Sequence, residues 1–201
     1  MIAPDQIAAA VTAMRRSCGL PATPARRGPV LLDRFFEETH LSHVALPGLT
    51  RAAVAGHLRA DGVPVEDLGD PGEPLAGFVF LAGRVGWAFV RADDILPRRR
   101  FTAAHELGHA VLHREKMGQF IADTDIAEAD DATTGIEREA NHFAVELLMP
   151  EEVIRARAAE LRTAYSACPR LVLAYRLASE LLVSREAMRY RLKTLEVGDD
   201  D

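Results

Sequence analysis

Apolar residues recur at helical spacing in several separate stretches. Ile7, Val11 and Met14 share one face of a segment over residues 4–16, and Pro4 and Asp5 suit its first turn. A breaker-rich connection follows, from Gly19-Leu20-Pro21-Ala22-Thr23-Pro24 to Gly28-Pro29. Residues 30–39 and 49–60 again predict helices, the second ending near Asp61-Gly62. The period then changes. Phe78-Val79-Phe80-Leu81 and Val85 through Val90, separated by Ala82-Gly83-Arg84, predict two short strands around a tight turn. Helices are expected over residues 101–113, from Ile136 to Met149 with a stop at Pro150, and from Glu151 through a tail that ends in Asp199-Asp200-Asp201. The acidic run Asp123, Asp125, Glu128, Asp130, Asp131 reads as a solvated loop. There is no internal repeat. The pattern divides the chain into an N-terminal helical layer (1–74), expected to be peripheral and without chemistry, a core (75–150) and a C-terminal helical segment (151–201).

Composition narrows the class. The 201 residues are 48% hydrophobic and 27% charged, an ordinary globular balance that excludes a low-complexity or disordered chain. No stretch approaches the roughly 18 apolar residues of a membrane span. Asp5 before and Arg15-Arg16 after the mildly apolar Ile7–Met14 stretch reverse the charge order of a secretory signal. Cys18 and Cys168 fit a reducing compartment, so a cytoplasmic location is expected. A net charge of −6 disfavours polyanion binding by the whole surface.

The chemistry lies in Phe101-Thr102-Ala103-Ala104-His105-Glu106-Leu107-Gly108-His109-Ala110-Val111-Leu112-His113. Histidines four apart stand one helical turn from each other, roughly 6 Å along the axis. His105 and His109 therefore project from one face and can share a tetrahedral Zn²⁺. Glu106, about 100° further round, is placed beside the metal, where it can take a proton from an activated water. Phe101, Ala104, Gly108, Val111 and Leu112 form an apolar arc that sets the histidines at the margin of a buried face. His113 lies roughly 12 Å from His105 along the axis, too far to join the same ion. It stands either behind the ligands or against substrate, or it is simply a helix-end histidine near the favourable dipole.

A catalytic zinc takes three protein ligands and keeps one position for water, so a fourth protein group in the sphere would contradict a hydrolase. Glu137, Glu139, His142 and Glu146 are the downstream candidates. Ile136, Ala140, Phe143, Ala144, Leu147 and Leu148 define the buried arc of their helix, with Glu137 and Asn141 on that side. Glu139, His142 and Glu146 fall nearly opposite and are expected to face water. A carboxylate on the buried side needs compensation. Glu137 is therefore assigned as third ligand, with Asn141 hydrogen-bonding behind a ligand.

Arg100-Phe101-Thr102 through His113, followed by Glu137-Arg138-Glu139-Ala140-Asn141-His142-Phe143-Ala144 and Leu147-Leu148-Met149-Pro150, resembles the ImmA/IrrE family of bacterial metallopeptidases. The likeness covers roughly residues 75–150. It implies an α+β, zincin-like core: a short antiparallel sheet, an active-site helix and a glutamate helix, with N-terminal helices and a helix-turn-helix-like tail. It also implies a gluzincin-like zinc endopeptidase with ligands His105, His109 and Glu137 and general base Glu106. The family's partner is typically a helix-turn-helix repressor of the XRE type, often in mobile-element, stress-response or toxin–antitoxin-like loci. In such a mechanism zinc polarises the carbonyl, and Glu106 passes a proton to the leaving amine. Tyr165, Tyr175, Tyr190, His113 and several arginines are all eligible oxyanion donors. Val85–Val90 is expected to template an extended substrate through edge backbone groups.

Residues 178–192 carry the spacing of a helix-turn-helix, with Val183-Ser184 at the turn and Leu182 where such turns often hold Gly. Residues 170–195 hold six basic and two acidic side chains, a local charge of +4. Packing on the core and docking of a protein partner compete with DNA contact for this tail, and the former is preferred. At the level of the whole chain, a zinc endopeptidase acting on a repressor or antitoxin competes with two alternatives. One is a non-proteolytic, metal-stabilised regulator; the other is a housekeeping peptidase of short peptides.

Overall fold

The computed structural model describes residues 1–21, 27–115, 118–124, 135–165 and 168–198. Asp125, Glu128, Asp130, Asp131 and the terminal aspartates lie outside the described residues, as do Ala22-Thr23-Pro24 of the first connection. The described fold is α+β, with a small mixed sheet among helices, consistent with a zincin-like core.

The elements run α1 (Pro4–Ser17), α2 (Asp33–Glu38), β1 (Leu41–Leu46), α3 (Arg51–Ala60), β2 (Gly77–Ala82), β3 (Val85–Arg91), α4 (Leu96–Leu112), β4 (Phe120–Asp123), α5 (Gly135–Leu148), α6 (Glu151–Ala164), α7 (Arg170–Leu181) and α8 (Arg185–Thr194). The sheet order is β1-β3-β2-β4, with β2 antiparallel to both β3 and β4. β1 pairs parallel with β3, so the sheet is mixed rather than antiparallel throughout. The helix expected over 30–39 shrinks to α2. The chain turns at His40 with φ +53° and enters β1, which the helical reading of the N-terminal layer did not contain. Only Leu41 of β1 is buried, which leaves a weak strand signal.

Alternation in β2 and β3 feeds two apolar layers. Val79, Leu81, Ala88 and Val90 pack with α4, α5, α1 and the tail helices. Phe78, Phe80, Trp87 and Phe89 pack against Val54, Leu58 and Leu75 on the other face. The first layer positions the site. It fixes α4 against the sheet and α5 against α4, where Gly108 brings the two backbones together. A Cβ at Gly108 would stand 3.2 Å from the Ala140 carbonyl oxygen.

The tail packs on this same layer through Leu173, Leu177, Met188 and Leu192. Between α7 and α8, Leu182 adopts the left-handed conformation (φ 53°, ψ 49°), the geometry that favours Gly there, and the Ser184 hydroxyl caps α8 by accepting from the Ala187 amide. Arg191 turns inward to Glu146 (2.8 Å) and to the Met149 carbonyl, which removes one cation from the basic face. None of the described helices is long and apolar enough to cross a membrane.

Candidate metal centre

Three elements converge on one point. α4 supplies His105, Glu106 and His109, all at most 1% exposed; α5 supplies Glu137; β4 supplies Asp123. The Glu137 Oε2 lies 3.3 Å from His105 Nε2 and 3.4 Å from His109 Nε2, and the two Nε2 atoms are 2.9 Å apart. Asp123 Oδ2 stands 3.4 and 3.7 Å from the same two nitrogens. Asp123, expected in a solvated loop, is instead 7% exposed at the end of an edge strand. Three apolar residues in succession, Phe120-Ile121-Ala122, are the signal that could have moved it into the core.

The hydrogen bonds behind the histidines fix their tautomers. His105 Nδ1 lies 2.8 Å from Asn141 Oδ1, a pure acceptor, so Nδ1 carries the proton and Nε2 offers its lone pair to the cluster. His109 Nδ1 meets His113 Nδ1 at 3.1 Å, and His113 Nε2 meets Glu139 Oε2 at 2.9 Å. Glu139 Oε1 accepts the Ile2 amide at 2.5 Å. With a carboxylate at its end the relay has one consistent direction: His109 donates to His113, which donates to Glu139, leaving His109 Nε2 free for a cation. Both ring nitrogens of His113 are thus engaged, so His113 is not an oxyanion donor.

Glu139 corrects an expectation, since it is 5% exposed rather than facing water. α5 packs on both α4 and α1, and Glu139 lies between His113 at the end of α4 and the Ile2 amide just before α1. The N-terminal segment, expected to carry no chemistry, supplies the amide that holds it. Glu146 and His142 are partly buried and paired with each other (3.6 Å), and Ile136 is exposed rather than part of the buried arc.

The Glu106 carboxylate is fully buried, and neither oxygen has a hydrogen-bond partner among the described residues. It fills the space over Gly77, where any Cβ would collide with it, and Gly77 pairs across the sheet with Asp123. Burial first, then the neighbouring charges of Asp123 and Glu137, push the Glu106 pKa well above the carboxylate range. Burial disfavours imidazolium at His105, yet Asp123 and Glu137 outweigh it and raise its pKa to about 9. Burial also opposes ionisation of Glu137, but His105 and His109 hold its pKa far below the usual range. The pKa of His109 is lowered, chiefly by burial.

Two carboxylates, Asp123 and Glu137, and two imidazole lone pairs form a donor set that a divalent cation fits, and the orphaned Glu106 carboxylate stands beside it. Elsewhere, Tyr175 accepts from Arg185 and lies under its guanidinium, and Tyr165 lies under Arg176. β3 has both edges occupied by β1 and β2, so it cannot accept a peptide as expected; among the described strands the free edges belong to β1 and β4.

A mixed α+β core with an HExxH helix and a downstream carboxylate aimed at its histidines has the layout of a zincin-like core, with a buried group that could hold a metal. The family model described as the IrrE N-terminal-like domain (Peptidase_M78) matches residues 83–193, more than half of the chain, and the chain belongs to this metallopeptidase family. An uncharacterized immunity region protein 2 of Bacillus phage phi105 is 43% identical over 80 residues, which are 40% of this chain. The chain spans about half the length of that curated relative (48%).

Proposed function

We propose that this chain is a zinc-dependent endopeptidase that hydrolyses a peptide bond of a protein partner. The observation that carries the reading is the buried, unpartnered Glu106 carboxylate beside the convergence of His105, His109 and Glu137. Zinc held by those three residues would supply Lewis acidity, polarising the carbonyl and acidifying water. Glu106, kept protonatable by its burial, takes the proton of the attacking water and delivers it to the leaving amine. Asn141 and the His113–Glu139 relay hold the imidazoles in the tautomer that leaves each Nε2 lone pair inward. The outer edge of β4, beside the cluster, offers backbone groups to an extended substrate. A regulatory protein, an XRE-type repressor or antitoxin, is the preferred substrate, and the phage relative's description as an immunity region protein supports it. Two free thiols, Cys18 and Cys168, support a cytoplasmic setting. The tail's packing on the core supports a docking role over DNA contact.

Glu106→Gln tests this directly. It is expected to retain zinc and partner binding while cleavage falls by about 10²–10⁴-fold. The second reading, a non-proteolytic regulator stabilised by metal, is favoured by Asp123, because a fourth protein ligand is the mark of structural zinc. If Glu106→Gln acts on its partner as well as the native chain does, that second reading replaces the first.

A further inference from the structure

Four ligands at about 2.0–2.1 Å from a tetrahedral zinc stand about 3.3–3.4 Å from one another. The two Glu137–His distances are 3.3 and 3.4 Å, and the two Asp123–His distances are 3.4 and 3.7 Å. The two histidine nitrogens are closer together, at 2.9 Å, and Asp123 faces both of them as Glu137 does, at slightly longer range. The Asp123 Oδ2 is buried and unpaired by distance and angle, and its polar neighbours are the cluster itself and the Glu106 carboxyl group.

We propose that Asp123 is a fourth, displaceable metal ligand that occupies the place water must take, so that the resting chain is a latent peptidase. The inference rests on the metal-dependent reading above and reconciles a closed sphere with a hydrolytic HExxH helix. The geometry separates Asp123 from the other three ligands. His105, His109 and Glu137 stand on α4 and α5, long helices packed on each other. Asp123 ends a four-residue strand paired on one side only, whose Phe120, Ile121 and Ala122 are partly exposed. Its backbone is held to the sheet by the ladder with β2, where it pairs with Gly77, and by the Ala76 amide donating to the Asp123 carbonyl (2.7 Å). Such an edge strand opens at lower free energy than helices buried on both sides. With a metal held by His105, His109 and Glu137, withdrawal of the Asp123 carboxylate would leave room for a water beside those three residues. The edge that a substrate would pair with is the same strand, so substrate engagement and opening act on one element.

The test uses the full chain loaded with Co²⁺ as a spectroscopic probe and acetohydroxamate as a small bidentate ligand that needs open coordination positions. Native protein is expected to keep its visible spectrum as acetohydroxamate is added. Asp123→Ala and the isosteric Asp123→Asn are expected to shift theirs at least tenfold more readily. Both variants should also bind Zn²⁺ at least about tenfold more weakly in chelator competition, the scale seen even for partners outside the coordination sphere. Native protein that takes up acetohydroxamate as readily as the variants, or unchanged Zn²⁺ affinity in both variants, overturns latency. Glu106→Gln run in parallel should retain the native spectrum and affinity. Its cleavage result bears on the peptidase reading alone, so the two failures are distinguishable.

Discussion

At the scale of single residues, the site depends on a side chain that is missing and on one that stands behind the ligands. Gly77 leaves the room that Glu106 fills, so Gly77→Ala must displace either the carboxylate or β2. Overpacking of this kind costs about 1–3 kcal/mol, and the larger effect is expected on cleavage, because the carboxylate that moves is the proposed base. Melting temperature and turnover measured together separate the two. His113→Ala removes the partner of both His109 Nδ1 and the Glu139 Oε2 atom. Zinc affinity is expected to fall about 10–100-fold, whereas a helix-end histidine without this role would leave it unchanged. The pair His105 and His109 was legible in the sequence because the four-residue spacing fixes a shared face whatever the packing. Glu139 was not, since a wheel with one buried arc cannot represent a helix that packs on both α4 and α1.

At the scale of elements, the same limit explains the strands. β2 and β3 are apolar on both faces and declare themselves as short hydrophobic runs. β1 and β4 lie at the edges and are largely half-exposed, so the alternation that would reveal them is absent and Asp123 goes with them into the acidic run. The α7–α8 turn was legible from the helix-turn-helix spacing of residues 178–192, although Leu182 stands where such turns often hold Gly. Backbone geometry there demands a left-handed residue, and the sequence supplies Leu182, which is 36% exposed. A non-glycine residue in that conformation costs about 1–2 kcal/mol, partly offset by the greater unfolded freedom of Gly. Leu182→Gly is therefore expected to stabilise the chain by about 1 kcal/mol in urea unfolding, with zinc affinity untouched. A destabilised variant would mean that the Leu182 side chain contributes more packing than its exposure indicates.

Across the whole molecule, the metal centre ties together parts of the chain far apart in sequence. β4, α4 and α5 meet at the cluster, and the relay carries the connection on to residue 2. The apolar layer around it also includes the tail helices, so the site is embedded in the main core rather than set on a loop. Glu106, Asp123 and Glu137 converge there, and either protons or a cation must offset their mutual repulsion. Stability should consequently be linked to zinc by mass action, with about 2.7 kcal/mol gained when free zinc stands at 100 times its dissociation constant. Chelation is expected to lower the melting temperature, and titrating zinc back should raise it progressively. Glu137→Gln should flatten that dependence, because one of the two carboxylates that face the histidines loses its charge. Glu106→Gln should keep it, because Glu106 is proposed to act on water and not on the metal. A melting temperature indifferent to zinc in the native chain would show that the carboxylates are neutralised by protons alone, and the cluster would then be an ion-pair network without a metal.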